Sequence, residues 1–203
     1  MAAPPVLLIA TTNPGKLVEI RDALKGLPLH LLSLADVPVI PEPEETGWTF
    51  AENARIKAEA YAAASGLPTV AEDSGLVIDA IGGRPGVESA RYPGATYPDK
   101  FANLYRELDG KPQPWTARFV CSLAFVDERR IVGDERRFAC EGTVEGWVTS
   151  EPNGTNGFGY DPIFFYPPYG RTLGASSRED KMAVSHRGSA FRQFRTYLGD
   201  RVS

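Results

Sequence analysis

Residues 6–34 constrain the fold more tightly than any other stretch of this chain. Val6-Leu-Leu-Ile-Ala10 is a short, unbroken apolar run bounded by Pro5 and by Thr11-Thr-Asn-Pro-Gly-Lys16. A run this short with a β-favouring centre predicts a buried strand. Beyond the turn, Leu17, Ile20, Leu24 and Leu27 recur at helical spacing, Gly26 supplies a stop, and Leu29–Leu34 is apolar again. Strand, turn, helix and a further apolar run open an α/β unit.

The rest of the chain continues the mixture. Pro38, Pro41 and Pro43 exclude regular structure before Trp48. Thr49-Phe-Ala-Glu52 reads as a capping box for an alanine-rich helix that runs to Ser65 and stops at Gly66-Leu-Pro68. Thr69–Ala71 and Leu76–Ile81 read as short strands flanking an acidic turn, Glu72-Asp-Ser-Gly75, and Gly82–Gly86 reads as a loop. Pro98–Leu108 predicts a helix with Phe101, Leu104, Tyr105 and Leu108 on one face. Ala117, Phe119, Cys121, Leu123 and Phe125 alternate as in a half-buried strand, and Arg137–Val144 and Gly146–Thr149 supply more strand material. Asn153–Tyr160 is a glycine- and asparagine-rich loop, and Ser189–Leu198 predicts a last helix on Phe191, Phe194 and Leu198. Such a chain is a mixed α/β protein whose loops meet at sheet ends, where ligands usually bind.

Composition narrows the class of function. The 203 residues are 42% hydrophobic and 24% charged, which excludes wholesale disorder and a fibrous role. Twenty-two basic against 26 acidic residues give a net charge of −4, which argues against nucleic-acid backbone or anionic lipid as partner. Cys121 and Cys140 lack metal-ligand spacing, each sits in a strand-like run, and neither pairs with His30 or His186 in a zinc pattern. Met1–Ala10 has no basic leader region, and no apolar run approaches the roughly 20 residues of a membrane span. The expected location is the cytoplasm.

Four stretches carry possible chemistry. Thr11, Thr12, Asn13, Pro14, Gly15 and Lys16 sit where a strand meets a helix N-terminus, whose unpaired N–H groups suit a phosphate; the same residues also suit a plain capping turn. Glu44, Glu45 and Asp73 are oxygen donors of the kind magnesium prefers, completed by substrate phosphates, although Asp73 also suits an Asx-turn. Phe158 and Tyr160, separated by Gly159, form either a stacking face for a flat base or a turn that leads aromatics into a core. Lys181 and Ser185-His-Arg-Gly188 either read a base edge and hold phosphate, or cap and solvate the last helix. No Gly-x-Ser-x-Gly elbow or Cys-His nucleophile pattern appears. Together these point to a metal-dependent reaction on a nucleotide.

Read as a set, Thr11–Lys16, Glu44-Glu-Thr-Gly47, Phe50-Ala-Glu-Asn-Ala54 with Lys57, Glu72–Gly75, Gly82–Gly86, Ser89-Ala-Arg-Tyr92, Gly157–Pro162 and Ser185–Gly188 resemble, in order, the motifs of the inosine triphosphate pyrophosphatases. The resemblance runs from about residue 6 to about residue 195 and implies one two-lobed α/β domain spanning 1–203. It implies a long central mixed β-sheet flanked by helices, an active site in the cleft between lobes, and a homodimer. The implied reaction is magnesium-dependent hydrolysis of inosine-, deoxyinosine- and xanthosine-type triphosphates to monophosphate and pyrophosphate. By the same resemblance Thr11 to Lys16 and Lys57 hold the triphosphate, and Asp73 binds Mg2+ and activates water with help from Glu44 or Glu45. Ser74, Phe158, Gly159, Tyr160, Asp161, Lys181, His186 and Arg187 then line the nucleotide site. The chain departs from the family pattern at Leu173-Gly-Ala-Ser176, at Met182 and at Glu72, where a second Asp is frequent. The competing readings are a pyrophosphatase of modified pyrimidine nucleotides and a nucleotide sensor without turnover.

Overall fold

The computed structural model describes residues 4–129, 136–199 and 201; the start of the Met1–Ala10 stretch lies outside them. In chain order the elements are β1 (Val6–Ile9), α1 (Pro14–Leu24), β2 (His30–Ser33), α2 (Phe50–Ser65), β3 (Thr69–Ile78) and α3 (Tyr97–Leu108). There follow β4 (Trp115–Val126), β5 (Arg137–Val148), β6 (Phe164–Tyr166), β7 (Arg171–Thr172), α4 (Arg178–Val184) and α5 (His186–Gly199). The strands form one seven-stranded sheet in the order β2-β1-β3-β4-β5-β6-β7. β1 pairs in parallel with β2 and β3, while β5, β6 and β7 pair antiparallel, so the sheet is mixed and the fold is α/β. The chain divides into two compact units: residues 1–73, 121–142 and 187–203 form one, 74–120 and 143–186 the other.

In the first unit the pleat sorts side chains into two cores. Leu7, Ile9, Val70, Leu123 and Phe125 pack with Ile20 and Leu24 of α1 and with Phe191, Phe194 and Leu198 of α5. Their strand neighbours Leu8, Ala10, Ala71, Ala124 and Val126 face α2. There Ala54, Ala58 and Ala62, four residues apart, give the helix a flat stripe on which it lies close to the sheet. Phe191 and Phe194 are fully buried, worth about 1.5–3 kcal/mol each by transfer. The second unit has its own core, in which Phe101, Leu104 and Leu108 of α3 meet Leu76, Ile78, Phe119, Ile163 and Phe164.

The local signals explain most element ends. Asn13 caps α1 by accepting the Lys16 N–H, and Thr49 and Glu52 cap α2 reciprocally before Gly66 ends it in the left-handed region. Three expectations are corrected. Glu72–Gly75 is not a turn: β3 is a single ten-residue strand through it, and Ile81 falls in a 3-10 turn beyond. Gly75 serves close approach instead, since a Cβ there would lie under 3.0 Å from the Ser89 side chain and the Gly86 carbonyl. Likewise Gly146 does not break β5, which is continuous over Arg137–Val148; its missing Cβ admits the Phe165 carbonyl and Phe164 ring of the paired strand β6. α4 was not expected, although Ser177 caps it by accepting the Asp180 N–H, and α5 starts at His186 rather than near Ser189. Among the described residues no helix is long and apolar enough to cross a membrane.

Candidate active site

The chemistry of the first unit gathers on both faces of β3. Because strand side chains alternate, Glu72 continues the Val70 face toward α1 and α5, whereas Asp73 continues the Ala71 face toward α2. Asp73 Oδ1 accepts from Lys57 Nζ at 3.2 Å and Oδ2 from Asn53 Nδ2 at 3.4 Å. Lys57 Nζ also contacts Glu45 Oε1 at 2.6 Å, so one ammonium bridges two carboxylates. Glu44, one residue before, is exposed. The Asn53 amide is fixed from its other end, since its Oδ1 accepts the Gly47 N–H at 2.8 Å.

Electrostatics set the two acids apart. Burial pushes the Asp73 carboxyl up; Lys57 and Lys16 oppose this, Glu72 and Glu45 reinforce it, and the net is a carboxyl raised above its ordinary range. Burial acts on Glu72 in the same direction, but Arg187, Lys16 and Lys57 outweigh it and hold that carboxyl well below its ordinary range. Lys57 is held up in turn: Asp73, Glu72 and Glu45 overcome the penalty of its burial.

The α1 N-terminus lies on the Glu72 side. Thr11 Oγ1 accepts the Asn13 N–H at 3.2 Å, Asn13 Oδ1 accepts the Lys16 N–H at 3.1 Å, and Pro14 has no N–H to satisfy. Thr12 and Pro14 are exposed, while Gly15 and Lys16 are half-buried. The first turn holds no acidic residue, so the helix end keeps its partial positive charge. Lys16 Nζ sits 2.6 Å from Glu72 Oε1.

Arg187 is placed differently from the expectation that it presents donors to a base. It is 1% exposed, and its terminal nitrogens meet Glu19 at 2.7 Å and Glu72 at 3.4 Å in the first unit. A guanidinium this deep is retained by carboxylates, which repay its desolvation. Its neighbour His186 belongs to the second unit, where the ring stacks on Phe119 at 4.8 Å.

In the second unit Asp161 organises the glycine-rich loop. Its Oδ2 accepts the Phe158 N–H at 2.8 Å and the Lys181 Nζ at 2.5 Å. Gly157, at φ +73°, leaves space where a Cβ would strike the Asp161 carboxylate. Lys181 Nζ lies 4.6 Å from the Phe158 ring centroid, a cation–π contact. Gly159 is half-buried at φ +67°. Tyr160 resolves to the core alternative: it is 4% exposed, its hydroxyl donates to the Ser89 carbonyl at 2.9 Å, and Tyr97 meets it edge-on at 5.4 Å. Phe158 is the ring left half-exposed, and Ser74 is half-buried. The loop that departs from the family pattern is ordered: Thr172 caps Leu173–Ala175 and its hydroxyl donates to the Asn153 carbonyl at 2.6 Å.

A helix N-terminus with its lysine, beside a buried aspartate shared by an amide and a lysine, suits polyphosphate chemistry. The model of the Ham1 family matches residues 7–197. The chain belongs to the Ham1 family. It is 46% identical over 196 residues to the dITP/XTP pyrophosphatase of Geobacter sulfurreducens, covering 95% of this chain and 96% of that protein. The solved structure of a HAM1 protein from Coxiella burnetii superposes with TM-score 0.85 at 38% identity, covering 97% and 99% of the two chains. The Staphylococcus aureus Ham1 protein gives TM-score 0.83 at 33% identity, covering 96% and 98%.

Sequence reasoning quoted Asn53 within the Phe50–Ala54 motif without giving it a role, and missed Glu19 and Phe119 as members of these clusters. Asn53 left a signal, a polar residue on the alanine face of an amphipathic helix. Glu19 and Phe119 left none, because their partners Arg187 and His186 are remote in sequence.

Proposed function

We propose that this Ham1 protein hydrolyses non-canonical purine nucleoside triphosphates (ITP, dITP and XTP) to monophosphate and pyrophosphate, removing them before incorporation into DNA and RNA. As a hydrolase of the diphosphatase type it acts on a purine nucleoside triphosphate. The observation that carries the reading is the buried Asp73 carboxylate, gripped by Lys57 and Asn53 and raised above its ordinary range. A carboxylate fixed in this way is positioned to accept a proton from a water held beside it.

Residues 11–16, with Lys16 and Lys57, hold the polyphosphate through helix N–H groups and ammonium charge. A water attacks the α-phosphorus and gives its proton to Asp73. The bond to the bridging oxygen breaks, and the pair of electrons leaves with pyrophosphate, whose growing charge the lysines stabilise. Phe158, with Gly159, Asp161, Lys181, Ser74 and His186, is assigned to the nucleoside end, and Tyr160 is assigned to hold that loop. Inosine and xanthosine bases carry an acceptor oxygen at position 6 where adenine carries a donor. A fixed backbone N–H donor at that end therefore rejects adenine by about 1–3 kcal/mol.

Mg2+ fits the donor set. Among the described residues no three His, Cys, Asp or Glu side chains form a cage, but Asp73 and Glu45 already share one cation, the Lys57 ammonium. Two carboxylates completed by phosphates and water are the usual magnesium arrangement. Asp73 and Glu45 would hold the ion, and exposed Glu44 is the weaker candidate. When bound, the ion supplies Lewis-acid polarisation of phosphoryl oxygens. The proposal places the enzyme in the cytoplasm as a homodimer without nucleic-acid or membrane partners.

The test is pyrophosphate release from a nucleotide panel with and without magnesium. Turnover of ITP and XTP well above ATP and GTP is expected; ATP and GTP handled equally well refute the assignment. Asp73→Asn should keep the fold and lose the magnesium-dependent turnover.

A further inference from the structure

We propose that Glu72 is the positioning residue for Lys16, acting from the face of β3 opposite Asp73. The inference rests on the reading of Lys16 as a polyphosphate ligand. Its grounds are geometric. Glu72 is 2% exposed, and its carboxylate stands between two cations: Lys16 Nζ at 2.6 Å on one side and Arg187 at 3.4 Å on the other. Arg187 is itself tied to Glu19 at 2.7 Å, and the Cys121 thiol donates to Glu72 Oε2 at 3.2 Å. The four charges alternate in sign, Glu19, Arg187, Glu72, Lys16. They run from α1 through α5 and β3 back to the α1 N-terminus. Only the last of them reaches partial exposure, its side chain at 17% against 0–5% for the other three.

That arrangement does something a surface ion pair cannot. A lysine carries a point charge on a flexible stem and loses aim unless something fixes its tip. Arg187 at 3.4 Å and Cys121 at 3.2 Å hold Glu72 in place within a packed sheet. An ammonium has three N–H donors, so a Lys16 tip held 2.6 Å from Glu72 keeps donors to spare beside the first turn of α1, whose own N–H groups have no partner within the helix. The adjacent acids of β3 thus serve separate tasks, and the alternation of the strand keeps them apart. Glu72 never touches substrate in this account; it acts through Lys16.

The experiment measures metal-free binding of inorganic tripolyphosphate by calorimetry, which requires no turnover, with near-UV circular dichroism as the check of fold. Glu72→Gln is expected to weaken binding by about fivefold or more, Lys16→Ala likewise, and the double variant no further than Lys16→Ala alone, because contacting residues couple. Glu72→Asp, which restores the charge at shorter reach, should recover part of the loss. Should Glu72→Gln fail to fold, the same cycle is run with Glu72→Asp, whose smaller loss should vanish when Lys16 is replaced. Unaltered tripolyphosphate affinity in a folded Glu72 variant, or losses that add to that of Lys16→Ala, overturns the proposal. A wild-type protein that binds tripolyphosphate with this coupling but hydrolyses no nucleotide instead overturns the functional reading and leaves the pairing standing.

Discussion

Gly75 is the sharpest test of how β3 is built. The strand passes Ser89 so closely that its Oγ accepts the Leu76 N–H at 2.9 Å while donating to the Gly86 carbonyl at 2.6 Å. In Gly75→Ala the new methyl would lie under 3.0 Å from Ser89 Oγ, Ser89 Cβ and the Gly86 carbonyl oxygen. Ser89 must swing away, which sacrifices both hydrogen bonds at about 1 kcal/mol each, and the overpacked backbone adds about 1–3 kcal/mol. The sum is roughly 3–5 kcal/mol, read as a lowered urea midpoint at unchanged slope. Combining it with Ser89→Gly removes two of the three clashes but leaves the carbonyl and forfeits the same two hydrogen bonds, so the double variant should lose less than the sum of the two single losses. A folded Gly75→Ala within about 1 kcal/mol of wild type, or a cycle without coupling, would refute the claim that Gly75 is there for close approach rather than as a turn.

Other expectations follow from the same geometry. Arg187→Met leaves Glu19 and Glu72 buried without their shared cation and should cost about 3–5 kcal/mol in chemical denaturation. Thr49→Ala removes the side-chain acceptor at the α2 start, worth about 1 kcal/mol in the same assay. The capping Glu52 carboxyl is held below its ordinary 4.5 by N–H donors of Trp48 and Thr49 and by the Thr49 hydroxyl. A depressed folded value means the stabilisation is complete above 4.5 and is lost as pH falls through the folded value. The thermal-midpoint gap between wild type and Glu52→Gln should therefore close on acidification, and a gap independent of pH would count against the cap.

Local patterns in the sequence already contain much of the fold. β1, α1, β2 and α2 follow from an apolar run, helical spacing, Asn13, Thr49, Glu52 and Gly66, all of which act within a few residues of themselves. Two of the failures share one cause. Gly75 and Gly146 look like breaks because a glycine in a strand advertises freedom, whereas each here removes a Cβ that another chain segment would strike. The reason for the residue lies in Ser89 and in Phe164 and Phe165, beyond any local window.

The candidate site divides along the same line. Asn13, Lys16, Lys57 and Asp73 are legible as types suited to phosphate and metal, yet nothing in Glu72-Asp73 as text says that the two carboxylates face opposite sides of a sheet. In a turn the two could share one surface, compete for one cation and repel at close range. As a strand they are separated by the backbone itself, and each meets its own lysine: Asp73 meets Lys57 with Glu45, and Glu72 meets Lys16 with Arg187 behind it. Two adjacent acids can then sit at different proton affinities without a large structural apparatus, Asp73 above its ordinary range and Glu72 below. Moving either by one position would exchange the faces, so an insertion or deletion between Val70 and Gly75 should be far more damaging than any single substitution there.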